Sequence, residues 1–246
     1  MLLRVEKVTK SFDGFVAVQD VEITVAQGQM ACIIGPNGAG KSTIFNLITG
    51  HLQPTRGKIF FRDQDITGLP PYTICQLGMG RSFQRTNIFP RLSVFDNVQV
   101  AVLAHRKKTL NFFTPSKKLV QEETYDLLAQ VGLADEAQSI SGMLSYGFQK
   151  QLELGIALAS EPALLLLDEP TAGMSPQETA NAIALIAKIV RERGLTLLFT
   201  EHDMDVVFSI AEKITVLHQG QVLAEGTATE VRSNPEVQRV YLGETA

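Results

Sequence analysis

The chain has 246 residues, of which 45% are hydrophobic, 20% charged and 7% aromatic, with 19 glycines and 10 prolines. This balance is that of an ordinary folded chain, and it excludes wholesale disorder. The formal net charge is −4, with 26 acidic residues against 22 lysines and arginines. Such a chain has no broad basic surface for a phosphate backbone, so we expect no nucleic-acid partner.

Chain length and cysteine usage limit the fold class and the compartment. The length suits one large α/β domain spanning residues 1–246. The two cysteines, Cys32 and Cys75, are too few for a disulfide framework or a zinc site of four thiolates, so we expect both to be reduced. The N-terminus lacks the apolar core of a signal peptide, and no later stretch approaches the about 18 apolar residues of a membrane span. We therefore expect a cytosolic chain.

The N-terminal part predicts short strands followed by a helix. Strands are expected at residues 3–8, at residues 21–25, where apolar and other residues alternate strictly, and at residues 30–34, which are all apolar. A strand that is apolar on both faces belongs inside a sheet. A glycine-rich turn follows it, and helical spacing of apolar residues then predicts a helix at residues 42–49 that Gly50 ends.

The rest of the chain predicts a helical region and then alternating strands and helices. Helices are expected in the middle third at residues 94–104, 119–131 and 148–159. Beyond them come a strand at 163–167, a helix at 176–193, a strand at 195–200 and a helix at 203–211. Such alternation predicts a parallel sheet covered on both sides. The tail predicts strands at 214–218 and 222–224, then a polar helix ending near Leu242.

The turn after the buried strand matches the P-loop pattern G-x-x-x-x-G-K-[ST] in full, between a strand and a helix. It consists of Gly35, Pro36, Asn37, Gly38, Ala39, Gly40, Lys41, Ser42 and Thr43. Glycines let backbone N–H groups turn toward phosphate oxygens, and the helix N-terminus adds its dipole. We expect Lys41 to contact the β- and γ-phosphates, Ser42 to bind Mg²⁺, and Thr43 to hydrogen-bond a phosphate.

A second motif ends the strand at residues 163–167, where five apolar residues precede Asp168 and Glu169. Ligands bind at the carboxyl ends of strands in open parallel sheets, so both carboxylates should lie at the phosphate site. Asp168 fits a role in organising Mg²⁺, directly or through a metal-bound water. Glu169 fits a residue that polarises the attacking water. Together with the P-loop, this segment is interpreted as a Walker B motif.

With these two motifs, three further segments make the chain resemble the ATP-binding subunits of ABC transporters from end to end. Gln84 matches the Q-loop, His202 matches the switch histidine, and the segment from Leu144 to Gln149 resembles the L-S-x-G-Q signature at the start of a helix. The resemblance implies an α/β P-loop NTPase core with a mostly parallel sheet, an N-terminal antiparallel β portion and an inserted helical subdomain. The core would comprise residues 1–91 and 161–246, and the helical signature subdomain about 92–160.

The resemblance also implies how the site residues cooperate. Two subunits would meet head to tail, with each ATP between the P-loop of one and the signature of the other. Ser145 and Gly147 would then contact the γ-phosphate held by the partner. Phe12 would stack on adenine, with a buried core position as the alternative. Catalysis would fall to Glu169, His202 and Gln84, and Gln84 would also contact Mg²⁺, as Ser42 and Asp168 do.

Two positions depart from the family pattern on the surface offered to the partner's nucleotide. Phe148 stands directly after Gly147, where the signature glutamine is expected, and Gln149 follows one residue later. The loop after Walker B resembles the family's D-loop but ends in Ser175, where aspartate is usual. The residues expected around this chain's own ATP are complete. We therefore expect an asymmetry: the chain's own ATP site is complete, whereas the signature and D-loop surface that it presents to the partner's nucleotide departs from the family pattern.

Within the family, residues 46–50, 82–89, 172–176 and 223–244 resemble ATPases of the high-affinity branched-chain amino acid importers. The resemblance implies an ATP-hydrolysing subunit that powers solute import from the cytoplasmic face of the membrane. Its expected partners are two membrane permease subunits, a second ATP-binding subunit and, indirectly, an extracytoplasmic solute-binding protein. A heterodimer of ATPases is favoured and a homodimer is possible. Urea or short-chain amide import is an alternative, and a non-transport ABC-type ATPase is a further one.

The segment at residues 86–92 follows Gln84 and enters the helical region. We expect it to form part of the groove that receives a cytoplasmic helix of a permease subunit. The alternative is that Ile88, Phe89 and Leu92 are ordinary core residues.

Overall fold

The computed structural model describes residues 1–82, 87–106 and 120–242, with Tyr241 and Leu242 described by their backbone alone. In chain order the strands are β1 (Leu3–Phe12), β2 (Phe15–Val25), β3 (Met30–Ile34), β4 (Arg56–Phe61), β5 (Gln64–Asp65), β6 (Met79–Arg81), β7 (Leu164–Asp168), β8 (Thr196–Thr200), β9 (Lys213–His218) and β10 (Gln221–Gly226). The helices are α1 (Lys41–Ile48), α2 (Pro71–Gln76), α3 (Val94–His105), α4 (Gln121–Gln130), α5 (Tyr146–Leu158), α6 (Pro176–Arg193), α7 (Met204–Ile210), α8 (Ala228–Ser233) and α9 (Pro235–Val237).

The strands form two sheets. An antiparallel sheet has the order β2-β1-β4-β5, and a six-stranded sheet has the order β10-β9-β3-β8-β7-β6. The six-stranded sheet is parallel from β9 to β6, and β10 pairs antiparallel with β9. The prediction of an α/β fold with a mostly parallel sheet and an N-terminal antiparallel portion is confirmed.

The leucines of β7 show how the six-stranded sheet divides two hydrophobic layers. Leu164 and Leu166 pack into a cluster with α1 and the antiparallel sheet, whereas Leu165 and Leu167 pack into a cluster with α3 to α7. Successive side chains of a strand point to opposite faces, so an all-apolar strand must be covered on both sides. The central strands are therefore held between the antiparallel sheet with α1 and the helical layer.

The structure also corrects and extends the elements expected from sequence. The single polar helix expected in the tail is wrong, because Asn234 ends α8 and caps α9, and a π-helical turn at Gln238–Leu242 follows. Pro235 supplies the break, since proline has no N–H to continue the ladder of α8. The strands β4, β5 and β6 and the helix α2 were not expected from the sequence pattern. In the described ranges, no helix is long and apolar enough to cross a membrane.

We expect Leu165→Ala to destabilise the fold strongly, because Leu165 is fully buried in β7. Truncation removes apolar contacts and leaves a cavity between two layers, at a cost of about 2–5 kcal/mol in the free energy of unfolding. Urea unfolding of the purified chain measures this difference. Met143→Ala, at an exposed position, is the control and should change the free energy by less than about 0.5 kcal/mol. Equal stability of the two variants would contradict the two-layer core.

Candidate functional site

A cleft of about 410 Å³ lies at the carboxyl end of β3, within the size range of small-ligand pockets. It is lined by Phe12, Phe15, Ala17, Asn37, Gly38, Ala39, Gly40, Lys41, Ser42, Thr43 and Glu169. The predicted phosphate loop, the predicted adenine contact and one of the two predicted Walker B carboxylates therefore line one cavity. This is the arrangement expected at the carboxyl edge of a parallel sheet.

The P-loop wraps around the side chain of Lys41. The ammonium donates hydrogen bonds to the carbonyl oxygens of Gly35, at 2.6 Å, and Pro36, at 3.2 Å. Gly40 is the N-cap of α1 with φ of 105°, and a Cβ there would lie 2.7 Å from Cγ1 of Val18. Only glycine fits this position. Since Gly40 has no side chain to cap the helix, the N-terminus of α1 keeps the N–H groups and dipole that bind phosphate.

Burial lowers the pKa of Lys41, and the carboxylates of Glu169 and Asp168 act in the opposite direction. The ammonium and both Walker B carboxylates are therefore close enough to interact. A phosphate group entering the cleft would add negative charge beside Lys41 and favour its charged form.

Asp168 lies at the end of β7 with 4% of its surface exposed. Its Oδ1 accepts a hydrogen bond of 2.8 Å from the hydroxyl of Thr200, and its Oδ2 lies 3.6 Å from Nη2 of Arg81. Ser42, the other predicted metal residue in the described ranges, is exposed in the cleft. Across those ranges no three His, Cys, Asp or Glu side chains cluster as a metal site. The Asp168 carboxylate and the Ser42 hydroxyl still suit Mg²⁺, because this ion is usually held by one or two carboxylates together with substrate phosphates.

Glu169 and His202 come together at the edge of the cleft. The Nε2 atom of His202 lies 2.6 Å from Oε1 of Glu169. The register of the parallel pair explains the contact, because Asp168 at the end of β7 is aligned with Thr200 at the end of β8. Glu169 adopts φ of 49°, and its N–H donates to the carbonyl and hydroxyl oxygens of Thr200. Two of the three predicted catalytic residues, Glu169 and His202, are thus in contact within one chain.

Two residues that support this arrangement were missed from sequence. Thr200 contacts both Walker B residues, as described above. The buried carboxylate of Glu201 accepts hydrogen bonds from the N–H and hydroxyl of Thr171 and, at 3.1 Å, from the N–H of His202. Glu201 therefore fastens the loop after β7 to the segment that carries His202. The available signal was an acidic residue between an apolar strand and His202.

Phe12 lies beside the P-loop because of a tight hairpin. Asp13 and Gly14 both have positive φ, as the two-residue turn between β1 and β2 requires. The ring of Phe12 is 40% exposed and lines the cleft, with Nζ of Lys10 at 4.9 Å from its centroid. The alternative of a buried core phenylalanine is wrong.

The signature residues lie outside this cleft. Ser145 is the N-cap of α5, where its hydroxyl accepts from the N–H of Phe148, and Gly147 follows in the first turn. A Cβ on Gly147 would lie 3.5 Å from Oε1 of Glu178 on α6. The signature and the start of α6 therefore form a common surface. The chain does not bring Ser145 or Gly147 to its own P-loop.

The serine at position 175 has a local structural role. It is the N-cap of α6 in a capping box, in which its N–H and hydroxyl both donate to Oε2 of Glu178 and its hydroxyl accepts from the Glu178 N–H. Serine and aspartate are both favourable N-cap residues. The departure from the family pattern at Ser175 is therefore compatible with the start of α6.

The segment after the Q-loop is exposed in part. Gln84 itself lies outside the described residues. Phe89 is 56% exposed, Leu92 is also exposed, and Ile88 packs against the helical core cluster. The core alternative is thus wrong for Phe89 and Leu92. Phe89 is fixed by its backbone, because its N–H donates to Oδ1 of the buried Asn97 and its carbonyl accepts from Ser141.

Comparison with known sequences identifies two matching families. The profile of the ABC transporter family matches residues 18–172. That of the branched-chain amino acid ATP-binding cassette transporter family matches residues 221–246. The high-affinity branched-chain amino acid transport ATP-binding protein BraF of Pseudomonas aeruginosa is 40% identical over 252 residues, covering 99% of this chain and 98% of BraF.

Solved structures give the same result. The ADP conformation of MJ1267, an ATP-binding cassette of an ABC transporter, superposes with a TM-score of 0.86 at 30% identity, covering 99% of each chain. The dimeric post-hydrolysis state of the ATP-binding cassette MJ0796, bound to ADP and Pi, superposes with a TM-score of 0.79 at 25% identity, covering 92% of this chain and 98% of that one. Sequence and structure together show that this chain is an ATP-binding cassette of the ABC transporter family.

Proposed function

We propose that the chain is an ATPase subunit of an importer of branched-chain amino acids. The subunit binds at the cytoplasmic face of the membrane and powers the import by hydrolysing ATP. The observation that carries the ATPase assignment is the contact of 2.6 Å between His202 and Glu169 at the edge of a cleft formed by a complete P-loop. The match of residues 221–246 to the branched-chain family and the similarity to BraF support the solute class. Neither supports the alternative of urea or short-chain amide import.

Nucleotide binding follows from the geometry of the cleft. The N–H groups of the P-loop and the N-terminus of α1 bind phosphate oxygens, and Lys41 exchanges its carbonyl partners for the β- and γ-phosphates. Phe12 stacks on the adenine ring. Ser42 and Asp168 would hold Mg²⁺ together with Gln84, and the ion would supply positive charge that neutralises the nucleotide phosphates.

Hydrolysis then depends on Glu169 and His202. Glu169 accepts a proton from the attacking water, or orients that water through a hydrogen bond. His202 holds the Glu169 carboxylate at the cleft edge. In this proposal its exposed ring contacts the γ-phosphate of the bound nucleotide. Thr200 and Glu201 keep both residues in place through the contacts described above.

A second cassette completes the site. Ser145 and Gly147 lie away from the cleft of their own chain, so they act on a nucleotide held by a partner. The dimeric state of the MJ0796 cassette, bound to ADP and Pi, supports pairing of two such chains. We propose a head-to-tail dimer with a second, distinct ATP-binding subunit. This dimer docks on two permease subunits that receive solute from an extracytoplasmic binding protein.

Glu169→Gln tests the hydrolytic role. We expect ATP binding to persist and steady-state hydrolysis to fall by about 10²–10⁴-fold, because a glutamine cannot accept a proton from water. A closed, ATP-loaded dimer should accumulate, which gel filtration with ATP measures. Glu192→Gln, at an exposed position on α6, is the matched control and should hydrolyse ATP at the parental rate. Equal hydrolysis by Glu169→Gln and the control would remove Glu169 from the mechanism.

Lys41→Ala should weaken nucleotide binding itself. The ammonium contacts phosphates in the ground state as well as in the transition state, so its loss reduces affinity and rate together. Titration with a fluorescent ATP analogue measures the dissociation constant. Lys188→Ala, an exposed lysine on α6, controls for the loss of a positive charge. Unchanged affinity in Lys41→Ala would contradict the phosphate site.

Phe89→Ala tests the groove proposed for a cytoplasmic helix of the permease. Because the Phe89 ring is largely exposed, its loss should cost less than about 1 kcal/mol in folding free energy. We expect the variant to keep basal ATPase activity and lose most transport in vesicles containing the complete transporter. Tyr72→Ala, another exposed aromatic, is the control. Transport at the parental rate by Phe89→Ala would contradict the coupling role.

The two departures from the family pattern predict low ATPase activity of the isolated chain. Activity should rise when the partner ATPase is added, because the partner supplies a complete signature. Phe148→Gln with Ser175→Asp should raise the activity of the isolated chain. Phe148 is 39% exposed and aspartate caps helices well, so we expect little loss of stability. The asymmetric dimer would be contradicted if the isolated parent chain were fully active and the two substitutions did not change its ATPase activity.

A further inference from the structure

Arg81 has no role in the function proposed above, although it lies beside the metal residue Asp168. It is the last residue of β6, the edge strand that pairs with β7. Its side chain is 10% exposed, so the guanidinium is held within the protein. A buried arginine must have compensating partners, because taking its charge out of water costs several kcal/mol.

The guanidinium bridges the P-loop helix and Walker B. One nitrogen, Nη1, donates to Oδ1 of Asn46 at 2.8 Å and to the hydroxyl oxygen of Thr49 at 2.7 Å. The other, Nη2, lies 3.6 Å from Oδ2 of Asp168. A planar guanidinium donates in several fixed directions at once, which the single ammonium of lysine does not reproduce. Arg81 therefore ties α1 to the end of β7.

The face of α1 that Arg81 contacts is the face that carries Ser42. Residues 42, 46 and 49 follow the i, i+4, i+7 spacing of one helix stripe. Ser42 and Asp168 belong to different elements, and the described residues place Arg81 in contact with both elements. The bridge from Asn46 and Thr49 to Arg81 therefore joins the helix that carries Ser42 to the strand that ends in Asp168.

The second oxygen of Asp168 is also engaged, since Oδ1 accepts from Thr200. The carboxylate is thus held from both sides, by β8 through Thr200 and by β6 through Arg81. Because the Asp168 carboxylate is already held in one orientation, metal binding costs less conformational entropy. The positive charge of Arg81 acts in the opposite direction, because it reduces the attraction of Asp168 for a cation.

We propose that Arg81 is a positioning residue that holds Asp168 and the Ser42 face of α1 in register for the magnesium–nucleotide complex. The favourable effect of Arg81 on the positions of Asp168 and Ser42 is larger than the unfavourable repulsion between Arg81 and the cation. Removal of Arg81 therefore reduces the gain in ATP affinity that Mg²⁺ provides. This inference rests on the proposed role of Asp168 toward Mg²⁺. It concerns the arrangement of this chain's own residues and does not involve the partner cassette.

The test compares ATP affinity in excess Mg²⁺ with ATP affinity in EDTA, and the ratio of the two dissociation constants is the magnesium gain. Arg81→Met should lower the magnesium gain by about tenfold or more, the usual effect of losing a group that orients a metal ligand. Its ATP affinity in EDTA should match that of the parent, because Arg81 does not line the cleft. Arg81→Lys, which keeps the charge without the fork, should lie between Arg81→Met and the parent. Arg106→Met, at an exposed arginine, is the control and should keep the full gain.

A double-mutant cycle with Asp168→Asn separates this inference from the proposed function. If Asp168→Asn keeps the full magnesium gain, the metal role of Asp168 fails. If Asp168→Asn loses the gain while Arg81→Met retains or increases it, only the positioning role of Arg81 fails. If Arg81 acts by aligning Asp168 with Ser42, Arg81→Met lowers the gain by a smaller factor in the Asp168→Asn variant than in the parent. An equal factor in both backgrounds would overturn the inference.

If Arg81→Met does not fold, the inference can be tested by substituting the two residues at the α1 end of the bridge. These variants leave the Arg81–Asp168 pair in place. Asn46→Leu and Thr49→Val each remove one acceptor of Nη1 while keeping similar volume. Together they should lower the magnesium gain with ATP affinity in EDTA unchanged. An unchanged gain in the folded double variant would overturn the bridge from α1 to Asp168.

Discussion

Asp168 places a buried carboxylate at the end of β7, a strand otherwise made only of leucine. A polar group in such surroundings needs partners that replace the hydrogen bonds it loses with water. Thr200 and Arg81 act as these partners from β8 and β6, which flank β7 in the sheet. The strand order therefore lets two neighbouring strands hold the Asp168 carboxylate inside the protein, next to the Glu169 that lines the cleft.

The same sheet determines where the cleft opens. Both faces of the central strands are covered, one by α1 with the antiparallel sheet and the other by the helical layer. Polar side chains of these central strands can therefore reach solvent only at the ends of the strands. Lys41, Glu169 and His202 all follow the carboxyl ends of β3, β7 and β8. The concentration of chemistry at this edge is a consequence of apolar packing elsewhere.

The P-loop and the signature, the two halves of the proposed composite site, lie apart in the chain. Its P-loop and Walker B residues surround one cleft, whereas Ser145 and Gly147 lie at the start of α5 beside α6. Serine caps both α5 and α6. The two helix starts lie side by side, because Gly147 in the first turn of α5 is close to Glu178 in the first turn of α6. In the proposed dimer each chain supplies phosphate-binding helix ends to two nucleotides, its own and its partner's.

The family, the phosphate loop and the Walker B carboxylates could all be identified from the sequence. These features depend on spacing within one strand–turn–helix unit, and local spacing is visible in a single chain. The sequence also predicted the limits of α6, because Pro176 begins that helix and Gly194 ends it. Its prediction of a single polar helix in the tail was wrong, since Pro235 breaks it.

Contacts between residues far apart in the chain became visible only in the folded protein. Thr200 contacts Asp168 because parallel pairing aligns β7 with β8, and Arg81 reaches both Asp168 and α1 because β6 pairs with β7. Each of these contacts joins residues more than thirty positions apart, so no periodicity in the sequence indicates them. Exposure of Phe12 and Phe89 was also undecidable from residue type, because an aromatic side chain suits a core and a binding surface equally well.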